Sequence, residues 1–250
     1  MNDFIQLDNS KKWNYVLNPN AQITSIRGGG KTMFLFYLIL SFAEKWGSRC
    51  CFLLDGKGAD LFSLGQCFPE NERKQHVATS TNQIAQILRN LVEDMELTYQ
   101  KYFQTNNQIG SNWFILGLKP KIIIVDEVLS IMTEDKKIAK EIEKYLKTLI
   151  VKGRQSGHIV ILSSQKLSAD TLDSVIRENC GLRVALSNLS DTNYQMALGY
   201  SSKELPRANR GVGKGYVYLD GEGWDLPKAY NAPYIDTNKV DIKKIFLSYM

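Results

Sequence analysis

The sequence predicts an α/β fold, with a mainly parallel sheet flanked by helices and a small hairpin near the C-terminus. Short runs of branched apolar residues alternate with helical stretches, which is the pattern of parallel strands buried on both faces. A glycine-rich loop joins the first run to an apolar helix. Residues 211–224 combine glycines with alternating apolar residues, which is typical of an antiparallel hairpin. We interpret 1–250 as a single domain whose core spans about 20–220.

Five runs rich in branched apolar residues are predicted to be strands, namely 22–26, 50–55, 122–126, 159–163 and 182–186. Four stretches are predicted to be helices: the first is apolar throughout, and the others carry apolar residues at helical spacing. They are 33–43, 82–102, 135–152 and 236–249. The spacing of the elements allows 159–163 to lie between 22–26 and 122–126.

The composition favours a cytoplasmic protein without a structural metal. The formal charge of +5 permits a polyanionic partner but is too small to demonstrate one. The four cysteines lack the paired spacing of a zinc site. The apolar stretch 33–43 falls well short of the roughly 20 residues that a membrane-spanning helix needs, and the polar first 20 residues do not resemble a signal peptide.

The loop after the first strand follows the phosphate-binding pattern G-x-x-x-x-G-K-[ST], with serine at the first glycine position. Glycines let backbone N–H groups turn toward phosphates, the lysine would reach the β- and γ-phosphates of ATP, and the threonine would bind Mg²⁺. The predicted nucleotide-binding residues are Ser25, Gly28, Gly29, Gly30, Lys31 and Thr32. If the backbone at Ser25 needs a positive φ, the serine costs about 1 kcal/mol. A tight glycine turn with an incidental lysine is the alternative.

A second motif supports the first. The apolar strand at 122–126 ends in Asp126 and is followed by Glu127. At the carboxyl end of a parallel strand, Asp126 would hold Mg²⁺ together with Thr32, and Glu127 would activate the attacking water. Gln165, which follows the strand at 159–163, would sense the γ-phosphate. Surface carboxylates and a solvated loop glutamine are the alternatives.

Further segments match one family at similar separations. Residues 152–157 resemble its GR-x-x-G pattern, 164–167 its Gln-Arg-Pro-like turn and 182–186 its R-[IV]-A-[LF] strand. Residues 53–57 resemble a D-P-K segment with Gly56 in place of proline, and 214–217 resemble a late hairpin. On these matches the chain resembles the FtsK/SpoIIIE/HerA group of DNA-pumping ATPases, and most closely the FtsK-like coupling proteins of Gram-positive conjugative elements.

The chain departs from the family pattern at three places. Lys166 and Leu167 replace the common Arg-Pro, Asp191 stands where translocases often carry a second basic residue, and Ser25 replaces a glycine. The resemblance otherwise covers about residues 20–218.

The resemblance implies a RecA-like P-loop core that hydrolyses ATP with Mg²⁺. It also implies a homo-oligomeric ring, usually a hexamer, with double-stranded DNA in a central pore. In this family an arginine just before the sensor strand reaches the neighbour's nucleotide, which implies that Arg154 acts in trans. An arginine suits this role because the developing charge on the γ-phosphoryl group needs a planar donor. An ordinary surface arginine is the alternative.

The family's pore-facing loops correspond to 104–113 and 133–140. In the second segment Lys136, Lys137 and Lys140 would contact DNA phosphates without reading sequence. A solvated helix face is the alternative.

The expected function is ATP-dependent translocation of double-stranded DNA in conjugative transfer or segregation, with Glu127, Arg154 and Gln165 as catalytic residues. A membrane or relaxosome protein is expected to recruit the motor. One alternative is a P-loop ATPase that pumps another cargo, such as phage DNA or a secreted protein. Another is a catalytically weak nucleotide-binding scaffold, which Ser25 and Asp191 suggest and the presence of Glu127 opposes.

Overall fold

A computed structural model describes residues 4–104, 109–165 and 173–250 of the chain. The strands are β1 Phe4–Gln6, β2 Lys12–Asn14, β3 Ala21–Ser25, β4 Cys51–Asp55, β5 Val77–Ala78, β6 Lys121–Asp126, β7 His158–Ser164, β8 Leu182–Leu186, β9 Lys214–Leu219 and β10 Lys228–Asn231. The α-helices are α1 Lys31–Trp46, α2 Asp60–Gly65, α3 Glu70–His76, α4 Thr81–Thr98, α5 Val128–Glu134, α6 Lys136–Ser156, α7 Ser174–Glu178, α8 Asp191–Leu198 and α9 Ile242–Ser248. A π-helical turn, Tyr99–Phe103, extends α4. None of the helices in these ranges is both long and apolar enough to cross a bilayer.

The main sheet has eight strands in the order β10-β9-β8-β3-β7-β6-β4-β5. The six strands from β8 to β5 are parallel, and β9 and β10 complete the sheet as an antiparallel hairpin. The predicted parallel sheet is thereby confirmed, and so is the position of β7 between β3 and β6. The hairpin extends beyond the predicted 211–224, because the partner of β9 lies at Lys228–Asn231.

Helices cover both faces of the sheet because successive side chains of a strand point to opposite sides. In β6, Ile122 and Ile124 join a core with α1, α2 and α9, whereas Ile123 and Val125 join a second core with α4, α6 and α8. This two-sided burial explains why the parallel strands are apolar throughout rather than alternating.

The ends of the chain also contribute to the core, outside the predicted 20–220. The short hairpin β1-β2 was not predicted from the sequence, yet Trp13 is fully buried there and packs edge-on against Phe42 of α1. At the other end Phe246 of α9 is buried against Phe68.

Local signals set the helix boundaries that matter for the site. The α6 helix begins after Asp135, whose carboxylate caps the N–H groups of Lys137 and Ile138, and ends at Gly157 with a φ of 83°. Within its last turn, a side chain at Gly153 would come within 2.5 Å of the carbonyl oxygen of His158. The α9 helix begins at Ile242, later than predicted, because Asp241 is its N-cap.

Candidate nucleotide-binding site

The loop between β3 and α1 is a backbone concavity built by three glycines. Gly28 and Gly30 have φ values of 72° and 99°, which favour glycine. A Cβ at Gly29 would overlap the Ser25 hydroxyl, whereas one at Gly28 would meet no atom within 4 Å, because this residue faces open space. The loop therefore presents its backbone to a crevice at the N-terminus of the 16-residue α1, where the helix dipole favours an anion.

Ser25 adopts its place without the strain that a positive φ would bring. The non-glycine residues with positive φ in the described ranges are Asn20, Glu127 and Ser187, so Ser25 is outside the left-handed region. Its hydroxyl donates to the carbonyl oxygen of Ile26 at 2.9 Å. The conditional cost of about 1 kcal/mol therefore does not arise.

Lys31 lies at the floor of the crevice, where it is buried. Its Nζ donates to the carboxylate of Asp126 and, at 3.1 Å, to the hydroxyl of Ser163, and it lies 3.6 Å from Oε2 of Glu127. The Ser163 hydroxyl also donates to Asp126. The carboxyl ends of β6 and β7 thus bring the lysine and both predicted carboxylates together.

Glu127 occupies an unusual backbone position, with a φ of 56°, at the point where β6 turns into α5. Its N–H donates to Oδ1 of Asp126 at 3.0 Å. Its Oε1 accepts a bond from the backbone N–H of Gln165 at 3.3 Å. Non-glycine residues in this conformation store strain and cluster at functional sites. Gln165 therefore meets Glu127 through its backbone, and its neighbours Lys166 and Leu167 lie outside the described residues.

A cavity of about 330 Å³ joins the glycine loop to Asp126, whereas Glu127 is buried and does not line it. Its lining includes every predicted nucleotide-binding residue except Ser25, which lies beneath the loop. The lining residues are Ile26, Arg27, Gly28, Gly29, Gly30, Lys31, Thr32, Met33, Lys57, Ala59, Asp60, Asp126, Gln165 and Val212.

Two contacts of this crevice were not predicted. Lys57, in the loop after β4, donates from Nζ to Oε2 of Glu127 at 2.8 Å. Its position after a parallel strand places it at the same edge of the sheet, a signal that could have identified it. The N–H of Gly213 donates to the carbonyl oxygen of Gly29 at 2.9 Å. No local pattern connects these two residues, which are far apart in the sequence.

Arg154 lies at the opposite edge of the sheet from the crevice. It is exposed in the last turn of α6, just before β7, whereas Gln165 follows the carboxyl end of that strand. A strand of seven residues spans about 20 Å, so its length separates Arg154 from its own crevice. Arg154 instead lines a cavity of about 750 Å³ that also contacts Tyr99 and Ser111.

A polar cluster around the buried His158 lies beside the turn that carries Arg154. His158 is fully buried; one ring nitrogen lies 3.0 Å from the Ser156 hydroxyl and the other lies 3.1 Å from Oδ2 of Asp94. Lys121 also pairs with Asp94 at 2.8 Å. The bond from His158 lowers the pKa of Asp94 to about 2, and Lys121 adds to this effect. Burial lowers the pKa of His158 and so favours the neutral ring.

This cluster predicts a loss of stability in acid. Because Asp94 has an ordinary pKa of 3.8 and a folded value near 2, the unfolded chain binds the proton more readily between these pH values. We expect the free energy of unfolding, measured with urea, to fall as the pH falls from about 4 to 2. The difference in the free energy of unfolding between wild type and Asp94→Asn should shrink over the same pH range. A difference that is constant between pH 5 and pH 2 would contradict the assignment.

The two predicted DNA-contacting segments lie at opposite edges of the sheet. The described part of 104–113 adjoins the Arg154 cavity before β6, whereas 133–140 follows the carboxyl end of β6. Residues 105–108 are outside the described ranges. Lys136, Lys137 and Lys140 are exposed in the first turns of α6.

The donor set fits a magnesium ion held largely by phosphate and water. Among the described residues no three His, Cys, Asp or Glu side chains form a metal-binding group. Asp126 and the Thr32 hydroxyl are oxygen ligands of the kind that Mg²⁺ uses beside nucleotide phosphates.

The sequence is similar to two kinds of curated protein, although no family model matches it. It is 33% identical over 227 residues to the FtsK domain-containing protein YdcQ of Bacillus subtilis (strain 168), an alignment that covers 88% of this chain and 46% of YdcQ. It is 23% identical over 237 residues to the DNA translocase FtsK of Chlorobaculum tepidum, covering 89% of this chain and 28% of that protein. The chain thus spans less than half the length of either relative.

Solved structures share the fold. The conjugation coupling protein TcpA of pCW3, a monomer with ATPγS, superposes with a TM-score of 0.78 at 19% identity and covers 99% of this chain and 70% of that one. The cytoplasmic domain of the type VII secretion ATPase EccC of Thermomonospora curvata superposes with a TM-score of 0.64 at 18% identity. The match covers 92% of this chain and 27% of the EccC chain. The predicted P-loop ATPase fold is thereby confirmed.

Proposed function

Since the chain is a homologue of FtsK-domain proteins and DNA translocases and matches FtsK-like coupling proteins, we propose that it is an ATP-hydrolysing motor domain that moves double-stranded DNA. The observation that carries the ATPase part is the meeting of Lys31, Asp126 and Glu127 beneath the glycine loop. Conjugative transfer or segregation is the process in which we place it, and a membrane or relaxosome protein would recruit it.

The roles of the residues follow from their positions in the crevice. The N–H groups of the glycine loop and Nζ of Lys31 bind the β- and γ-phosphates. Thr32 and Asp126 would hold Mg²⁺, which would neutralise charge on those phosphates. Glu127 accepts a proton from the attacking water, and Gln165 lies beside Glu127 as the sensor. Arg154 serves the nucleotide of the next subunit in a homo-oligomeric ring, which we take to be a hexamer.

DNA binding should be strongly salt-dependent and nearly independent of sequence, because the proposed contacts of Lys136, Lys137 and Lys140 are to phosphates. We expect linear duplex to stimulate ATP hydrolysis. Replacing the three lysines by alanine should make the slope of log affinity against log salt shallower by about 2 to 3 units. Fluorescence anisotropy with two unrelated duplexes measures the salt slope and the sequence dependence, and an ATPase assay measures the stimulation by duplex.

A matched control removes three exposed lysines elsewhere. Lys239 precedes α9, and Lys243 and Lys244 lie on α9, which packs on the other face of the sheet from α6. Their replacement by alanine should change the salt slope far less. An equal change in both variants would show that only overall charge matters, and a strong preference for one duplex would contradict phosphate-only contact.

The likeness to the EccC domain supports a second candidate, a motor that pumps protein. That candidate predicts ATP hydrolysis indifferent to duplex DNA. The comparison of hydrolysis with and without duplex therefore separates the two cargoes.

A further inference from the structure

The loop that carries Lys57 is organised around one buried carboxylate. Asp55, the last residue of β4, is 1% exposed. Its two oxygens accept bonds from the backbone N–H groups of Lys57, Gly58, Ala59 and Phe62 at 2.8–3.0 Å. These bonds satisfy the buried carboxylate and hold the loop in one conformation. The backbone of Lys57 is therefore held in a fixed position.

The same loop is held against the Glu127 turn. The N–H of Gly56 donates to the carbonyl oxygen of Asp126 at 3.1 Å, and the Ser130 hydroxyl donates to the carbonyl oxygen of Gly56 at 3.2 Å. A Cβ at Gly56 would come within 2.7 Å of Ile131 and 3.1 Å of the carbonyl oxygen of Glu127. Glycine at this position permits the close approach of the two backbones, so Lys57 starts from a point beside Glu127.

The side chain of Lys57 joins a partly solvated cation to a buried anion. Its Nζ lies 2.8 Å from Oε2 of Glu127; the Lys57 side chain is 40% exposed and that of Glu127 is 6% exposed. Lys31 approaches the same oxygen at 3.6 Å. Two ammonium groups thus approach the same carboxylate oxygen. Lys57 can leave this pair more easily than Lys31 can, because Lys31 is buried and also bonded to Asp126 and Ser163.

Lys57 also borders the cavity that we assign to the nucleotide. It lines the crevice cavity together with Lys31 and Gln165. A γ-phosphate in that cavity and the Glu127 carboxylate are both anions, and like charges at close range repel each other. A cation between them can pair with either one. A diphosphate lacks the group that would compete with Glu127.

We propose that Lys57 is a nucleotide-binding residue that recognises the γ-phosphate by leaving Glu127 for it. The proposal rests on the crevice being the ATP site. Pairing with Lys57 holds Glu127 in place while no third phosphate is present, and exchange of Lys57 onto the γ-phosphate frees the Glu127 carboxylate to accept a proton from water. Lys57 thereby links triphosphate recognition to activation of the base.

The first test measures the affinities of ATPγS and ADP for wild type and for Lys57→Met. We expect ATPγS to bind about 10- to 100-fold more weakly to the variant, because a charge-assisted hydrogen bond is lost, and ADP to bind within about twofold of wild type. Lys57→Arg, which keeps the cation, should restore most of the discrimination. Lys74→Met, an exposed lysine of α3 outside the crevice lining, should leave both affinities unchanged. Equal losses for the two nucleotides, or no loss, would overturn the proposal.

The second test asks whether Lys57 leaves Glu127 on binding. Glu127→Gln removes the competitor for the lysine, so it should raise the affinity for ATPγS. The gain should be several-fold larger in the wild-type background than in the Lys57→Met background, because only the wild type must break the ion pair. Equal gains in both backgrounds would mean that no exchange occurs.

The Lys31→Ala variant distinguishes a wrong role for Lys57 from a wrong assignment of the ATP site. If Lys31→Ala weakens both nucleotides while Lys57→Met affects neither, the ATP site stands and the role of Lys57 is wrong. If Lys31→Ala leaves both affinities unchanged, the ATP site itself is wrong.

Discussion

Replacing Arg154 by alanine is expected to lower the rate of ATP hydrolysis by about 10³- to 10⁵-fold while ATP binding is retained, since an arginine finger contributes that much in other P-loop enzymes. The reason is positional. Arg154 is exposed at the amino end of β7, and the length of that strand separates it from the crevice of its own subunit. A head-to-tail neighbour can place it at the next crevice, which is the heterologous contact that closes a ring.

Mixing two inactive variants tests the trans role directly. Subunits with Arg154→Ala keep a complete crevice, and subunits with Lys31→Ala keep the arginine. Interfaces that pair an intact crevice with an intact arginine should recover part of the activity. Co-purification of one variant through an affinity tag on the other must show that mixed assemblies form. An inactive mixture in which assembly is demonstrated, or full activity of Arg154→Ala alone, would exclude the role.

The second large effect is expected at Lys31. Its ammonium donates to two acceptors in the crevice, and the residue directly follows the glycine loop. Loss of about two charge-assisted bonds to phosphate corresponds to roughly 10²- to 10⁴-fold weaker nucleotide binding for Lys31→Ala, with hydrolysis falling at least as far. Isothermal titration calorimetry with ATPγS measures the loss of binding, and an ATPase assay measures the loss of hydrolysis.

Stability must be controlled in this experiment, because Lys31 pairs with the buried Asp126. Removing one partner of a buried pair typically costs about 3–5 kcal/mol. Lys31→Met keeps the apolar stem, and a Lys31→Ala/Asp126→Asn double variant removes the uncompensated charge. Folded variants, judged by circular dichroism and urea titration, should still fail to bind. Near-normal turnover in either one would contradict the site assignment and would favour the view of the loop as an incidental glycine turn.

The five apolar runs that were predicted to be strands are buried on both faces, whereas the predicted hairpin strand β9 alternates between buried and partly exposed residues. Each of the five runs carries several consecutive branched apolar residues, which is a strong signal. The missed elements are short or one-sided. In β2 only Trp13 of three residues is fully buried, and β5 consists of Val77 and Ala78. Segments this short show no periodicity, so their pairing depends on tertiary packing that a local pattern does not contain.

The same limit applies to the crevice. That Lys31, Asp126 and Glu127 meet could be predicted, because parallel strands bring their carboxyl ends to one edge of the sheet. The segment 53–57 was matched to the family's D-P-K pattern, but that match does not show that Lys57 reaches Glu127, which depends on the turn that Asp55 holds together. Arg154 was placed by resemblance alone, and its role stays a prediction until subunits are mixed.

The ends of the main sheet restrict how copies of this domain can associate. At one end β5 has two residues, and at the other β10 has four and begins with a lysine. Short edge strands and edge lysines discourage a neighbouring chain from adding its own strand, because few unpaired backbone groups are offered and the charge must stay in water. Copies of the domain therefore have little opportunity to continue one another's β-sheet. In the proposed ring, contacts between copies would therefore involve loops and helices, and no hydrogen-bond ladder would join one subunit to the next.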